Sequence, residues 1–214
     1  MKIIHLSDTH QSHEATNEFL RNNKSEVLIH SGDISSRGEL YPSRQFLKWY
    51  NELVGFDYKI FIAGNHDFCF EEKKDDIKGY LEEFPDLIYL ENSSCEIDGI
   101  KFWGSPVTPW FHGWAFNVNR GPDIKKIWDE IPKDTNVLIT HGPAAYIMDR
   151  TQSGLNVGCE DLRNWIKENK PKLHLFGHIH ETYGVTADEH TLYSNASIMN
   201  LAYKPVNKPN IINI

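Results

Sequence analysis

Five short polar clusters punctuate this chain: Asp8-Thr9-His10, Gly32-Asp33, Gly64-Asn65-His66-Asp67, His141 and Gly177-His178-Ile179-His180. Aspartate, asparagine and histidine without cysteine form the ligand set expected for two divalent transition metals that share a carboxylate. An aspartate can bridge two cations because its two hard, anionic oxygens reach both from one short side chain. Asp33, after Gly32, is the candidate for that bridge. Asp8 and His10 are two residues apart in an extended segment, so both side chains point to one side, and they are expected to bind the first metal. His178 and His180 share this spacing, and Gly177 permits a tight backbone approach beside them. Asn65 would add a neutral oxygen ligand and His141 a neutral nitrogen.

Charge counting points to hydrolysis. Two divalent cations exceed the negative charge of Asp8 and Asp33. The surplus can hold a bridging hydroxide and an anionic phosphate, since metal binding brings the pKa of such a water to about 7 in favourable cases. His66 lies between Asn65 and Asp67 and, as an imidazolium, could protonate a departing alkoxide. Asp67 is expected to orient that ring.

These residues need a scaffold that gathers distant loops. Each cluster follows a short apolar run, at 2–6, 27–30, 58–63, 137–140 and 173–176. Such runs, stopped by polar or glycine residues, read as buried strands. In open α/β sheets, ligands bind outside the carboxyl ends of the strands, where the departing loops converge. Helices are expected at 43–53, 72–84, 123–131 and 159–169, the last with Leu162, Trp165 and Ile166 on one packing face. Shorter strands are expected at 87–90, 94–97 and 100–103, with Asp98-Gly99 as a hairpin turn, and again at 184–186, 192–195 and 211–214. Two packed sheets with helices outside account for this pattern. With no repeat or linker, a single domain over 1–214 is expected.

Composition narrows the setting. A chain of 214 residues, 40% hydrophobic and 24% charged, can bury one sizeable core. The net charge of -8 opposes nonspecific attraction to nucleic-acid phosphates, so no stable nucleic-acid partner is expected. Cys69, Cys95 and Cys159 are odd in number and lack Cys-x-x-Cys spacing, which indicates neither a disulfide framework nor a thiolate zinc site. The first residues turn polar too quickly for a signal peptide, and no apolar run approaches the roughly 18 residues of a membrane span. A soluble, cytoplasmic protein is expected.

The ordered set Asp-x-His, Gly-Asp, Gly-Asn-His-Asp, His and Gly-His-x-His resembles the signature of the calcineurin-like metallophosphoesterase superfamily. That resemblance implies an α/β fold, a four-layer α/β/β/α sandwich of two mixed β-sheets flanked by helices. It also implies two divalent metal ions, with Mn2+ foremost and Fe, Zn, Co or Ni as alternatives. Carried over residue by residue, Asp8, His10, Asp33 and His180 would hold one metal, Asp33, Asn65, His141 and His178 the other, and His66 would be the catalytic histidine. A narrower resemblance covers nearly the whole chain. The segments 61–66, 103–111 with Gly113-Trp114, 140–143, 157–159, 171–177 and 194–197 are similar to the metallophosphoesterase-domain-containing phosphodiesterases. The implied activity is hydrolysis of small phosphodiesters such as cyclic nucleotides. Some animal members replace the first histidine of Gly-His-x-His by glycine, whereas His178 is retained here, so full metal loading is expected.

One departure limits the transfer. Phosphoprotein phosphatases carry Gly-Asp-x-x-Asp-Arg-Gly, and this chain has Ser36 in place of the second aspartate, which argues against that role. Arg37 keeps the arginine position and is the candidate phosphate contact, although a solvated arginine explains it equally well. The aromatic stretch from Trp110 to Phe116 could stack a nucleobase, but core packing is the simpler account. His5, His30, His174 and His190 read as structural or surface residues, and 71–76 as a solvated helix face. The alternatives to a small-molecule phosphodiesterase are a phosphomonoesterase, a nuclease on short nucleic acid, and a non-catalytic scaffold of the same fold.

Overall fold

The computed structural model describes residues 1–214. Its strands are β1 (Lys2–Leu6), β2 (Ser25–Ser31), β3 (Phe56–Ile62), β4 (Leu87–Tyr89), β5 (Ser93–Ile97), β6 (Ile100–Ser105), β7 (Thr108–Pro109), β8 (Asn117–Val118), β9 (Val137–Thr140), β10 (Leu173–Phe176), β11 (Gly184–Ala187), β12 (Leu192–Asn195) and β13 (Asn210–Asn213). The helices are α1 (Asn17–Asn22), α2 (Leu40–Glu52), α3 (Phe68–Glu72), α4 (Lys74–Glu83), α5 (Pro122–Trp128) and α6 (Glu160–Asn169). One large sheet runs β13-β1-β2-β3-β4 and the other β11-β12-β10-β9-β6-β5. Both are mixed: β1 to β4 are mutually parallel with β13 antiparallel at the edge, and β6, β9, β10 and β12 are parallel between antiparallel β5 and β11.

Strand alternation builds the layers. Ile3, Val27, Ile29, Ile60 and Ile62 share a central apolar cluster with Phe102, Val137, Ile139, Leu173 and Leu175, so this cluster joins the inner faces of both sheets. Their sequence neighbours Ile4, Leu28 and Phe61 point the other way, onto Phe46, Leu47, Tyr50 and Ile77 of the helices. On the far side, Trp103 and Leu138 meet Ile124 and Trp128 of α5 and Leu162, Trp165 and Ile166 of α6. Three apolar clusters thus separate four layers, the expected α/β/β/α sandwich. Strands covered on both faces are mostly apolar, which is why β1, β2, β9 and β10 read so clearly although His5, His30 and His174 are buried in three of them.

Element boundaries differ modestly from expectation. The helix expected at 72–84 is α4, and a short helix not expected from the sequence, α3, precedes it across Lys73. The six-residue α1 has a single buried side chain, Leu20, and so carries almost no periodic signal. Asp98 and Gly99 have φ 51° and 75°, the paired left-handed conformation of a tight hairpin turn. No helix is long and apolar enough to cross a membrane.

Candidate metal centre

The carboxyl ends of β1, β2, β3, β9 and β10 converge, and every cluster follows one of them. Three groups of possible ligand atoms result, each within 4.8 Å of one another: Asp8, His10 and His180; His10, Asp33 and His66; and Asp33, His141 and His178. Asp33 belongs to two of them because its oxygens diverge. Oδ2 lies 3.6 Å from Nε2 of His10, and Oδ1 lies 3.3 Å from Nε2 of His141. On the first side, Nε2 of His180 is 3.4 Å from Oδ1 of Asp8. On the second, Nε2 of His141 is 2.9 Å from Oδ1 of Asn65. The seven residues expected as ligands therefore lie close together, with Asp33 near members of both expected sets and His66 beside the first.

Backbone carbonyls set the histidine rings. Nδ1 of His10 donates to Ser35 O at 3.1 Å, that of His141 to Ser31 O at 2.9 Å, and that of His180 to Asn200 O at 3.2 Å. A proton held on Nδ1 leaves the Nε2 lone pair facing inward, which is the form that binds a cation. Nε2 of His10 is buried and has no hydrogen-bond partner, an orphan that a metal ion would satisfy. Asp8 and Asp33 are buried carboxylates. Burial opposes their ionisation, yet His180 beside Asp8 and His141 beside Asp33 hold both carboxyls well below the usual range. His141 is affected in turn: burial opposes its protonation, but Asp33 raises it to about 9. His178 is lowered to about 3 by burial and by His141. Anionic oxygens and inward nitrogens packed this closely fit two divalent cations.

The local backbone is bent to make this possible. Asp8, His10, Asp33 and His178 have φ of 53°, 39°, 55° and 68°, a left-handed conformation that side chains resist and that concentrates at functional sites. Glycines supply the clearance. A Cβ on Gly177 would stand 2.0 Å from Oδ2 of Asp8, and one on Gly64 would stand 2.3 Å from Oδ1 of Asp33.

His66 stands beside the centre, with Nε2 4.0 Å from Oδ2 of Asp33. The expectation that Asp67 orients its ring is corrected here: Nδ1 of His66 donates instead to Ser36 O at 2.7 Å, and Trp114 packs on the ring at 4.2 Å between centroids. Asp67 turns into the protein. Its carboxylate accepts from Ile34 N at 3.1 Å, and from Ser35 N, Ser35 Oγ and Gly64 N at 2.8 Å each. It therefore ties the loop bearing Asp33 to the loop bearing Asn65 and His66, a positioning role reached through backbone.

A cavity of about 430 Å³ opens onto Asp33, Asn65, His66, His178 and His180. Trp110, Phe111 and Trp114 form part of its wall, and Phe111 lies 5.2 Å from the ring of His178. Packing explains Trp114 only in part, because what it packs against is His66. Arg37 is exposed and does not border the cavity. The arginine that does is Arg120, held by Gly158 O at 2.7 Å and Val157 O at 2.6 Å. Arg120 and Tyr203, also on the wall, belong to no motif, so the sequence carried no signal for either. His5, His30 and His174 are fully buried, His5 and His30 hydrogen-bonded and His174 bonded through Nε2 to Thr140 with its Nδ1 unpartnered, whereas His190 is exposed, in keeping with structural and surface roles.

Comparison with known proteins agrees with this geometry. Residues 1–182 match the family model described as calcineurin-like phosphoesterase. The chain is 36% identical over its whole length to human metallophosphoesterase domain-containing protein 1, of which it covers 71%. Among solved structures, a Thermus thermophilus protein superimposes with a TM-score of 0.67 at 15% identity, over 99% of this chain and 98% of its own. An archaeal phosphodiesterase does so with a TM-score of 0.50 at 22% identity, over 91% and 82%. The chain belongs to the calcineurin-like phosphoesterase family of metal-dependent phosphoester hydrolases.

Proposed function

We propose that this protein is a phosphodiesterase acting on small diesters, cyclic nucleotides among them, with two divalent metal ions, Mn2+ foremost. The observation that carries the reading is the position of Asp33, which offers one oxygen to each of two histidine-rich groups at the floor of a single cavity. Asp8, His10, Asp33 and His180 would hold one ion, and Asp33, Asn65, His141 and His178 the other. When bound, such a pair supplies positive charge for a phosphoryl group and lowers the pKa of a water nucleophile.

The chain's own residues do the rest. Ser36 O keeps the Nδ1 proton of His66, and Trp114 packs on the ring at a tilt of 32°, with Nε2 facing the centre 4.0 Å from Oδ2 of Asp33. As the bond from phosphorus to the leaving oxygen breaks, a proton moves from Nε2 of the imidazolium to that oxygen. The volume of about 430 Å³ suits a small molecule rather than a duplex. Aromatic walls favour a substrate with a flat organic part, and the net charge of -8 disfavours long polyanions. The three free cysteines support a reducing, cytoplasmic setting.

The test is kcat/KM for a chromogenic diester and the matching monoester, with metal-stripped protein, with and without added Mn2+. Metal-dependent preference for the diester is expected. Preference for the monoester would make the protein a phosphatase, and inactivity with every metal would leave a scaffold.

A further inference from the structure

The segment 199–205 forms a tight turn beside the first histidine group. Met199 and Pro205 make an isolated antiparallel bridge, and Tyr203 N donates to Asn200 O at 2.9 Å. The Asn200 side-chain oxygen accepts from the N–H groups of Ala202 at 3.0 Å and Lys204 at 3.1 Å. Asn200 O is also the carbonyl that holds Nδ1 of His180, so one residue anchors both the turn and a proposed ligand. This network fixes Tyr203 at φ 53°, a conformation unfavourable for an aromatic residue. Such backbone persists only where its surroundings over-determine it. The same distortion marks Asp8, His10, Asp33 and His178.

The ring stands edge-on to the centre, with centroids 4.9 Å from His10, 5.4 Å from His180 and 6.2 Å from His66. A side chain needed only for packing would be covered. Tyr203 is instead 52% exposed and borders the cavity alongside Asp33 and His66, and its hydroxyl has no protein partner. A phenol is a protonated donor at neutral pH. A phosphoryl group lying between Asp33 and His66 presents nonbridging oxygens that need donors, while Arg37 lies off the cavity and Arg120 is tied to two carbonyls.

We propose that Tyr203 is a substrate contact whose hydroxyl donates a hydrogen bond to a nonbridging oxygen of the phosphoryl group. The assignment rests on the phosphoester chemistry of the site and deepens it by naming a donor that no motif carries. Calorimetric titration of Mn2+-loaded protein with inorganic phosphate tests it without requiring turnover. Tyr203→Phe keeps the ring and removes the donor, so phosphate affinity should fall about fivefold, the loss of one hydrogen bond, with Mn2+ content unchanged. Unchanged phosphate affinity in Tyr203→Phe overturns the assignment, as does wild-type protein that binds no phosphate. Loss of Mn2+ from Tyr203→Phe also overturns it, because the hydroxyl would then serve the metal ligands. Diester turnover by the wild type, followed separately, judges the phosphodiesterase reading on its own.

Discussion

Oδ1 of Asp33 lies 3.3 Å from Nε2 of His141, while the same carboxylate's Oδ2 lies 3.6 Å from Nε2 of His10. One short side chain therefore joins strand ends from both sheets, since Asp33 follows β2, His10 follows β1 and His141 follows β9. Removing Asp33 should disturb both halves of the centre, whereas removing His10 should disturb one first. In Asp33→Asn, metal analysis at an Mn2+ concentration that fills the wild type should find well under two equivalents with neither site filled normally. His10→Ala should retain about one. Two full equivalents in Asp33→Asn would count against the bridge.

The His66 side chain borders the cavity, while the contact by which this residue holds a proposed ligand, its N–H to Oδ1 of Asp33 at 2.8 Å, comes from the backbone and survives in His66→Ala. His66→Ala should lower kcat on a diester about 10²- to 10⁴-fold, the range for loss of a general acid, while metal content stays near wild type. Wild-type turnover in this variant would refute its role. A leaving group acidic enough to depart without a proton should shrink the defect.

Asp67 is fully buried and accepts four hydrogen bonds. Asp67→Asn replaces an acceptor oxygen by a donor facing other donors. The cost should be roughly 3 kcal/mol, or a Tm lower by roughly 6 to 12 °C. Calorimetry on metal-stripped protein checks this. An unchanged Tm would mean that the two loops hold together without this carboxylate.

Gly177→Ala places a Cβ 2.0 Å from Oδ2 of Asp8, so either the loop or the ligand must move. Mn2+ affinity at the first site should fall about ten- to a hundredfold, as when a ligand loses its support. Competition with a fluorescent chelator measures it, and wild-type affinity would show that the loop yields freely.

Acid should destabilise the metal-free fold well before Asp8 and Asp33 titrate. Burial lowers His5, His30 and His174 to about 3 and His13 to about 4. In the unfolded chain each takes up a proton near 6.5. Between about pH 6.5 and 4 the unfolded state binds protons that the folded state refuses, so stability falls as pH falls. Asp67, raised to about 6 by burial and by Asp33, opposes this in the same window, but it is one group against these four together with His178 and His10, which are lowered as well. The urea midpoint in excess chelator should drop steadily from pH 7 to pH 4.5. A flat midpoint would contradict the neutral, buried state of these histidines.

Some of this architecture was legible in the residues and some was not, for physical reasons. Strands buried on both faces are mostly apolar, so β1, β2, β9 and β10 announced themselves despite a buried histidine in three of them. The six-residue α1, with Leu20 alone buried, had no periodicity to read. The five-residue α3 before Lys73 is likewise too short to show a helical period. Asp67 misled because adjacency in sequence says nothing about direction: the turn after Asn65 sends His66 to the cavity and Asp67 inward.

The sequence by itself marked the candidate ligand types, their order, and the strand ends that carry them, because metal chemistry restricts donors to a few side chains; the x-spaced pairs do not sit on extended backbone as strand alternation would have them, since Asp8, His10 and His178 are left-handed. Tertiary structure alone decided how Asp33 divides its two oxygens, that Ser36 O and Trp114 rather than Asp67 hold His66, and that Tyr203 and Arg120 stand on the cavity wall. Those relations join residues from separate loops, and backbone carbonyls make several of them. A carbonyl is the same group in every residue, so its role leaves no mark in the sequence until the chain is folded.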